Sequence, residues 1–379
     1  MVNNCSGKDD FFLGKRPWSL LKDQILKHYL PPYLKKVKFL NKNILIIDGF
    51  AGPGVFDDNS EGSPIFICDI AEENVPFRYK AFLVNKDPEH HEILTNHLKN
   101  CIDQGVAITL NSTAEEALKR IFDIIDDQTV FVYLDQFGIS GFNYADILPY
   151  LKRDKRFSTE LLLNINVSAI HRLSAKSQYE KDTPQIRGKH HSLSESLGGD
   201  YWKKYLFNER LSCDQQIFGA INEYKSLLQK DIEYVGYCPV YERGPGSVLK
   251  YFLIFASRHI DTVVLLNNIM FDAYYKHIWN CNYKQTLFED DYMDLSLPPN
   301  YYSDLKQKIL EIIESEKLSR IRIWHKIIIS DFMKFKESDF KKAVKELYDN
   351  NKISFIDVKN TGKLNDDSIL YLKQTNGTN

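Results

Sequence analysis

The chain predicts a doubly wound, mostly parallel α/β sheet followed by a small helical C-terminal domain. Apolar runs alternate with helix-patterned segments at least five times between residues 43 and 170. Those runs are continuous rather than alternating, as strands covered on both faces require. Near residue 300 the pattern changes to three helices and two short strands, the order of a winged helix.

The elements follow in order. "WSLLKDQILKHYLPPYL" reads as a helix capped by Ser19, with Leu21, Ile25 and Tyr29 on one stripe and Pro31-Pro32 as its stop. "NILIID" is a strand. "SPIFICDIAEEN" is a helix with Ser63 as cap and Pro64 at its first position. "YKAFLVNKD", "VAITLNS", "TVFVYLDQFG" and "TELLLNINVSAI" are further strands. "PEHHEILTNHLKNCI", "TAEEALKRIFDII" and "ADILPYLKRD" are the helices between them.

Residues 171–200 are polar, basic and aperiodic, and read as a long surface insertion. Beyond the helix "DQQIFGAINEYKSLLQK", Gly244-Pro245-Gly246 separates two strand-like runs, so a hairpin is expected. An antiparallel pair closing a parallel sheet fits a Rossmann-like sheet of the methyltransferase type. The expected domains are a helical segment over 1–42, the Rossmann-like domain over 43–290 and a winged-helix-like domain over 300–375.

The composition narrows the function. With 379 residues, 43% hydrophobic and 13% aromatic, the chain can bury a sizeable core. A formal charge of −2 excludes a strongly basic nucleic-acid protein by bulk charge, though not a local basic face. Cys5, Cys68, Cys101, Cys213, Cys238 and Cys281 are scattered, without CxxC. They read as reduced thiols in a cytoplasmic protein with no metal site. No run of about 18 apolar residues occurs, so no membrane association is expected. His90, His91 and His97 share a helix, but His90 and His91 are adjacent and face apart, so they read as surface or core residues.

The stretch "DGFAGPG", Asp48 to Gly54, raises the question of a ligand. A phosphate-binding GxxxxGK[ST] loop is excluded, because no lysine follows Gly54. The spacing Gly49, Gly52, Gly54 does not match the dinucleotide pattern GxGxxG. S-adenosylmethionine remains, lying against a backbone turn that leaves the first strand; glycines there admit close approach and positive φ. A tight strand-to-helix turn without ligand stays open as the alternative. On the cofactor reading Asp48, Gly49, Phe50, Ala51, Gly52 and Gly54 form the turn. Asn85, with Asp87 two residues on, occupies the place of the ribose-binding carboxylate. Asn111 and Ser112 stand where an adenine-binding polar group is expected; alternatively Ser112 or Thr113 is only a helix cap.

The fourth strand ends in Asp135-Gln136-Phe137. Methyltransferases that act on amino groups carry Asp/Asn-Pro-Pro-aromatic there. Asp135 would accept from the target N–H and Phe137 would stack on the acceptor, with Gln136 in place of the first proline. Alternatively Asp135 only caps the next helix or closes the strand end.

These residues resemble the three-Cys-motif partner family. The likeness lies in "KDQILKHYLPPY", "IIDGFAGPGVF", "EGSPIFICDIA", "YLDQFGISG", "YFLIFASRHI" and the C-terminal "SDFKKAVKELYDNNKISFI", in that order along most of the chain. The resemblance implies a methyltransferase-like Rossmann domain encoded beside a separate protein that carries the three-cysteine motif. Asn85 departs from the family's acid, and Gln136 from its proline, which would fix φ before the Phe137 ring.

Partners are expected on two basic segments. From Tyr301 onward 15 Lys and Arg face 12 Asp and Glu, and "HRLSAKSQYEKDTPQIRGKHH" carries five Lys/Arg against two acids. Both suit a nucleic acid, a winged helix suits a protein equally well, and a solvated surface gives the same tallies. The expected function is an S-adenosylmethionine-dependent methyltransferase acting on an amino group of a nucleic-acid base. A non-catalytic partner subunit that keeps the fold is the alternative. A nuclease is disfavoured, since no clustered carboxylates with a nearby lysine occur.

Overall fold

The computed structural model describes residues 17–56, 59–136, 138, 141–174, 183–282 and 297–373. It forms two compact units, Met1–His259 and Ile260–Asn379. The division puts residues 260–282 with the C-terminal unit, whereas the sequence reading grouped them with the Rossmann-like domain.

The first unit opens with α1 (Pro17–Val37) and continues β1 (Ile44–Asp48), α2 (Ser63–Asn74), β2 (Tyr79–Val84), α3 (Pro88–His97), α4 (Lys99–Asp103) and β3 (Ala107–Leu110). Next come α5 (Ala114–Phe122), β4 (Thr129–Leu134), α6 (Tyr144–Leu151), β5 (Thr159–Asn166) and α7 (Val167–Ser174). The unit closes with α8 (Pro184–Leu197), α9 (Trp202–Leu206), α10 (Cys213–Leu228), β6 (Tyr234–Tyr241) and β7 (Leu249–Ser257). Among the described residues these strands make one seven-stranded sheet, ordered β3-β2-β1-β4-β5-β7-β6. β1 pairs in parallel with β2 and β4, as do β2 with β3 and β4 with β5. β7 is antiparallel to both neighbours, so it alone runs against the rest. The order reverses direction between β1 and β4, the switch point where open α/β sheets bind ligands beyond the strand ends.

Strands β1 and β4 are buried along their whole length, which is why they read as unbroken apolar runs. α1 lies over the face made by β4, β5 and β7. Tyr29 and Tyr33 stack on each other and pack on Phe131, with ring centroids 5.5–5.9 Å apart. The Tyr29 hydroxyl donates to the buried Glu160 carboxylate, which also accepts from Ser257 Oγ at 3.2 Å. At the helix start the Tyr251 hydroxyl donates to the carbonyl of Trp18.

Three local expectations are corrected. Pro31 and Pro32 do not stop the first helix, which runs on to Val37. Leu30, Tyr33 and Leu34 are buried around them, so packing of the stripe outweighs the lost N–H groups. Residues 171–200 are not aperiodic: α7 and α8 occupy the described parts, and Leu193 and Leu197 are buried. Ser63 is not the cap of α2; Gly62 holds that place and Ser63 is the first helical residue.

The second unit contains α11 (Ile260–Asn282), α12 (Tyr301–Ser315), β8 (Leu318–Ser319), α13 (Arg320–Ser330), α14 (Glu337–Asp349), β9 (Ile353–Ile356) and β10 (Ile369–Leu372). Its three-stranded antiparallel sheet has the order β8-β10-β9. Trp324 stacks on Phe340 at 5.1 Å, and Phe340, Val344 and Leu347 form the buried side of α14 as the spacing predicts. Asn267 on α11 accepts from the Met333 N–H and donates to the Phe335 carbonyl, fixing the turn before α14. No helix among the described residues is long and apolar enough to cross a membrane.

Candidate functional site

Polar residues collect at the carboxyl ends of neighbouring strands. Across the sheet they run Asn111 after β3, Asn85 after β2, Asp48 closing β1, Asp135 after β4, and Asn164 near the end of β5. Adjacent strands lie about 4.8 Å apart, so consecutive members of the row are neighbours.

The glycine turn is held from several sides. The Gly49 N–H donates to the Tyr133 carbonyl at 3.0 Å, and the Ala51 N–H to Val84 at 2.9 Å. These two bonds tie the turn to β4 and to β2. Asp48 is fully buried and accepts from the Phe50 N–H at 3.0 Å and from Ser63 Oγ at 2.6 Å. Burial pushes its carboxyl up from 3.8 to about 7, against the pull of those two donors, with the Asp135 charge adding to the rise. Asp48 is thus an internal brace for the turn. The Gly54 carbonyl accepts from Gly62 N–H at 2.6 Å, closing the loop at its far end.

Gly52 has φ +56° and open space where a Cβ would stand. The turn therefore leaves the kind of gap that a ligand approaching the backbone needs. Gly54 also has positive φ, +91°, but is packed against Ile65 and Leu94. Phe50 packs near Phe142, its ring 2.6 Å from where a Cβ on Gly141 would fall.

The residues expected at the ribose and adenine are committed to the fold. Asn85 donates through Nδ2 to the Gly52 carbonyl at 2.7 Å and accepts from the Asp87 N–H at 3.0 Å. Asp87 caps α3, accepting from the N–H groups of Glu89 and His90. Asn111 Nδ2 donates to the Asn85 carbonyl at 3.0 Å. Ser112 Oγ donates to the Thr113 carbonyl, and Thr113 caps α5.

Asp135 is engaged on both oxygens. Lys22 Nζ of α1 lies 2.5 and 2.6 Å from them, Asn164 Nδ2 donates to Oδ1 at 2.7 Å, and the Tyr133 hydroxyl donates to Oδ2 at 3.3 Å. The Lys22 ammonium also lies 5.2 Å from the centroid of the Tyr251 ring. Burial, with the Asp135 charge next, holds the Tyr133 and Tyr251 hydroxyls well above their usual range. Both therefore stay donors at neutral pH. Asn164 Oδ1 is buried with no hydrogen-bond partner. Gln136 is buried too: Oε1 accepts from the Gly141 N–H at 2.8 Å, while Nε2 has no partner. Phe137 lies outside the described residues.

Sequence reasoning did not find Lys22, Tyr133, Asn164 or Tyr251. A signal existed only for Asn164, a polar residue inside the apolar run "LLLNIN". Lys22 sits on an amphipathic helix where a lysine is unremarkable, and only the fold brings it to a residue 113 positions away.

No family model matches the chain, and no curated protein matches it. Solved structures do. A Klebsiella pneumoniae structure titled a putative O-methyltransferase shares 9% identity, covers 66% of this chain and 93% of its own, and superposes with a TM-score of 0.33. A Bacillus cereus O-methyltransferase in complex with SAH gives 12%, 65%, 94% and 0.31. A Legionella pneumophila protein gives 9%, 64%, 85% and 0.37. Those superpositions are too loose to assign a role, and the strand order itself defines the class. The first unit is a Rossmann-like α/β protein with a methyltransferase-type sheet.

Proposed function

We propose that the chain is an S-adenosylmethionine-dependent methyltransferase of the three-Cys-motif partner type that acts on an amino group, a nucleic-acid base being the expected acceptor. The supporting observation is the open, positive-φ turn at Gly52 that leaves β1, with Asp135 following the adjacent strand β4.

The residues fit the cofactor at its methionine end, where Gly52 leaves room and Asp48 keeps the turn in shape. At its ribose end the fit is poorer, because Asn85 is already spent on Gly52 and Asp87. When bound, S-adenosylmethionine supplies an electrophilic methyl group. The protein's part is positioning. Asp135 orients an N–H donor, and Asn164 and Tyr133 hold that carboxylate still.

The second unit supports a winged-helix reading through its helix and strand order and its β8-β10-β9 sheet. On α14, Lys341 and Lys342 pair with Glu337 and Asp339, while Lys345 is exposed. Nucleic-acid contact through this helix and the basic stretch 171–200 is part of the proposal, as is assembly with a protein that carries the three-cysteine motif. A second reading, a non-catalytic partner subunit that retains the fold, is favoured by one specific observation: Asp135 already has four contacts and no acceptor site to spare.

Calorimetry with S-adenosylmethionine and S-adenosylhomocysteine separates the readings. Heat of binding with both ligands supports the enzyme, and no heat at millimolar ligand leaves the partner subunit. Labelled cofactor incubated with total RNA, DNA and protein then identifies the acceptor class.

A further inference from the structure

We infer that Lys22 is itself a methyl acceptor, so that the chain modifies its own first helix. The inference rests on the cofactor reading above and adds a substrate to it. The carboxylate expected to receive a target N–H is Asp135, and the nitrogen that it receives is Lys22 Nζ, at 2.5 and 2.6 Å. The seat is built for an amine. Asp135 offers a negative charge, and the Tyr251 ring lies 5.2 Å from the ammonium, within the reach of a cation–π contact. The Lys22 side chain is only 12% exposed, so the nitrogen is held inside the protein and does not wave from its surface.

The cofactor turn lies next to this nitrogen's partner. Gly49 N–H is bonded to the carbonyl of Tyr133, two residues before Asp135. A second feature points to an incomplete site. Asn164 is 3% exposed and its Nδ2 is fixed on Asp135, yet its Oδ1 has no partner. A buried acceptor without a donor is costly, and this one belongs to the side chain that shares Asp135 with the amine.

The step balances. The Lys22 ammonium first gives a proton to Asp135, which passes it to water. The Nζ lone pair then forms the N–C bond as the methyl C–S bond breaks, and the sulfur keeps that electron pair, turning from sulfonium to thioether. The new secondary amine takes up a proton and keeps its charge, so the ion pair to Asp135 survives a single methylation.

The test is tandem mass spectrometry of the full-length chain, both as purified from its expression host and after incubation with S-adenosylmethionine. Binding is measured in parallel by thermal shift. The expected result is a gain of one methylene mass on the peptide that contains Lys22, absent in Lys22→Arg and in Asn164→Leu. If the ligand shifts the melting temperature and Lys22 stays unmodified in both samples, self-methylation is wrong and the cofactor reading stands. If the ligand gives no shift and Lys22 is unmodified, both are wrong. Methylation spread over exposed lysines and retained in Lys22→Arg would also overturn the inference.

Discussion

Asn85 Nδ2 donates to the backbone carbonyl of Gly52 at 2.7 Å, so the residue at the end of β2 fastens the turn at the end of β1. The contact leaves the neighbouring strand ends coupled, and it gives Asn85 a task other than holding a ribose. Replacement with alanine removes this bond and the one from the Asp87 N–H. Asn85→Ala is expected to lose about 1–3 kcal/mol in urea denaturation. Asn85→Asp, which restores the acid of the resembled family, turns the donor facing Gly52 into a second acceptor. It is expected to be no more stable than the alanine variant.

Gly52→Ala separates a ligand-binding turn from a merely tight one. The added methyl meets nothing within 4 Å, so its cost is the positive φ alone, about 1–2 kcal/mol. Affinity for S-adenosylmethionine, measured by calorimetry, should fall by more than that loss of stability. Equal losses would mean that the space beside Gly52 holds no ligand.

Asp48 predicts how stability depends on pH. Its folded value, about 7, lies above the ordinary 3.8, so the fold prefers the protonated form. That contribution is full below pH 3.8 and fades as pH rises to about 7. In Asp48→Asn the amide oxygen can still accept from Phe50 and the amide nitrogen can donate to Ser63 Oγ. Its denaturation midpoint should change less between pH 4 and 7 than that of the wild-type chain, and a parallel pair of curves would refute the assignment.

Tyr29→Phe leaves the buried Glu160 carboxylate without its tyrosine donor. The expected loss is about 1–3 kcal/mol, although the ring packing on Phe131 is unchanged. Ser257→Ala in the same background should cost less than it does alone if both hydroxyls serve one carboxylate, which a double-mutant cycle measures.

Much of the sheet was legible because burial on both faces forces continuous apolar strands, and "TVFVYL" and "NILIID" could be little else. Asp48, Asn85, Asn111 and Asp135 were legible as polar residues following such runs. Their duties were not. The bond of Asn85 to the glycine turn and the capping of α3 by Asp87 depend on geometry that spacing alone does not carry. Lys22 was invisible because its meaning is tertiary. Pro31-Pro32 misled for the reverse reason: a local helix breaker was overruled by Tyr29, Leu30, Tyr33 and Leu34 packing inward.

The bond from the Tyr251 hydroxyl to the Trp18 carbonyl joins residues 233 positions apart. As the ribosome delivers the chain, the opening helix emerges long before the strand that completes its berth. Its bond to β7 cannot form until nearly the whole first unit has been made. Contacts of such separation slow folding, so α1 is expected to be among the last elements of this unit to settle.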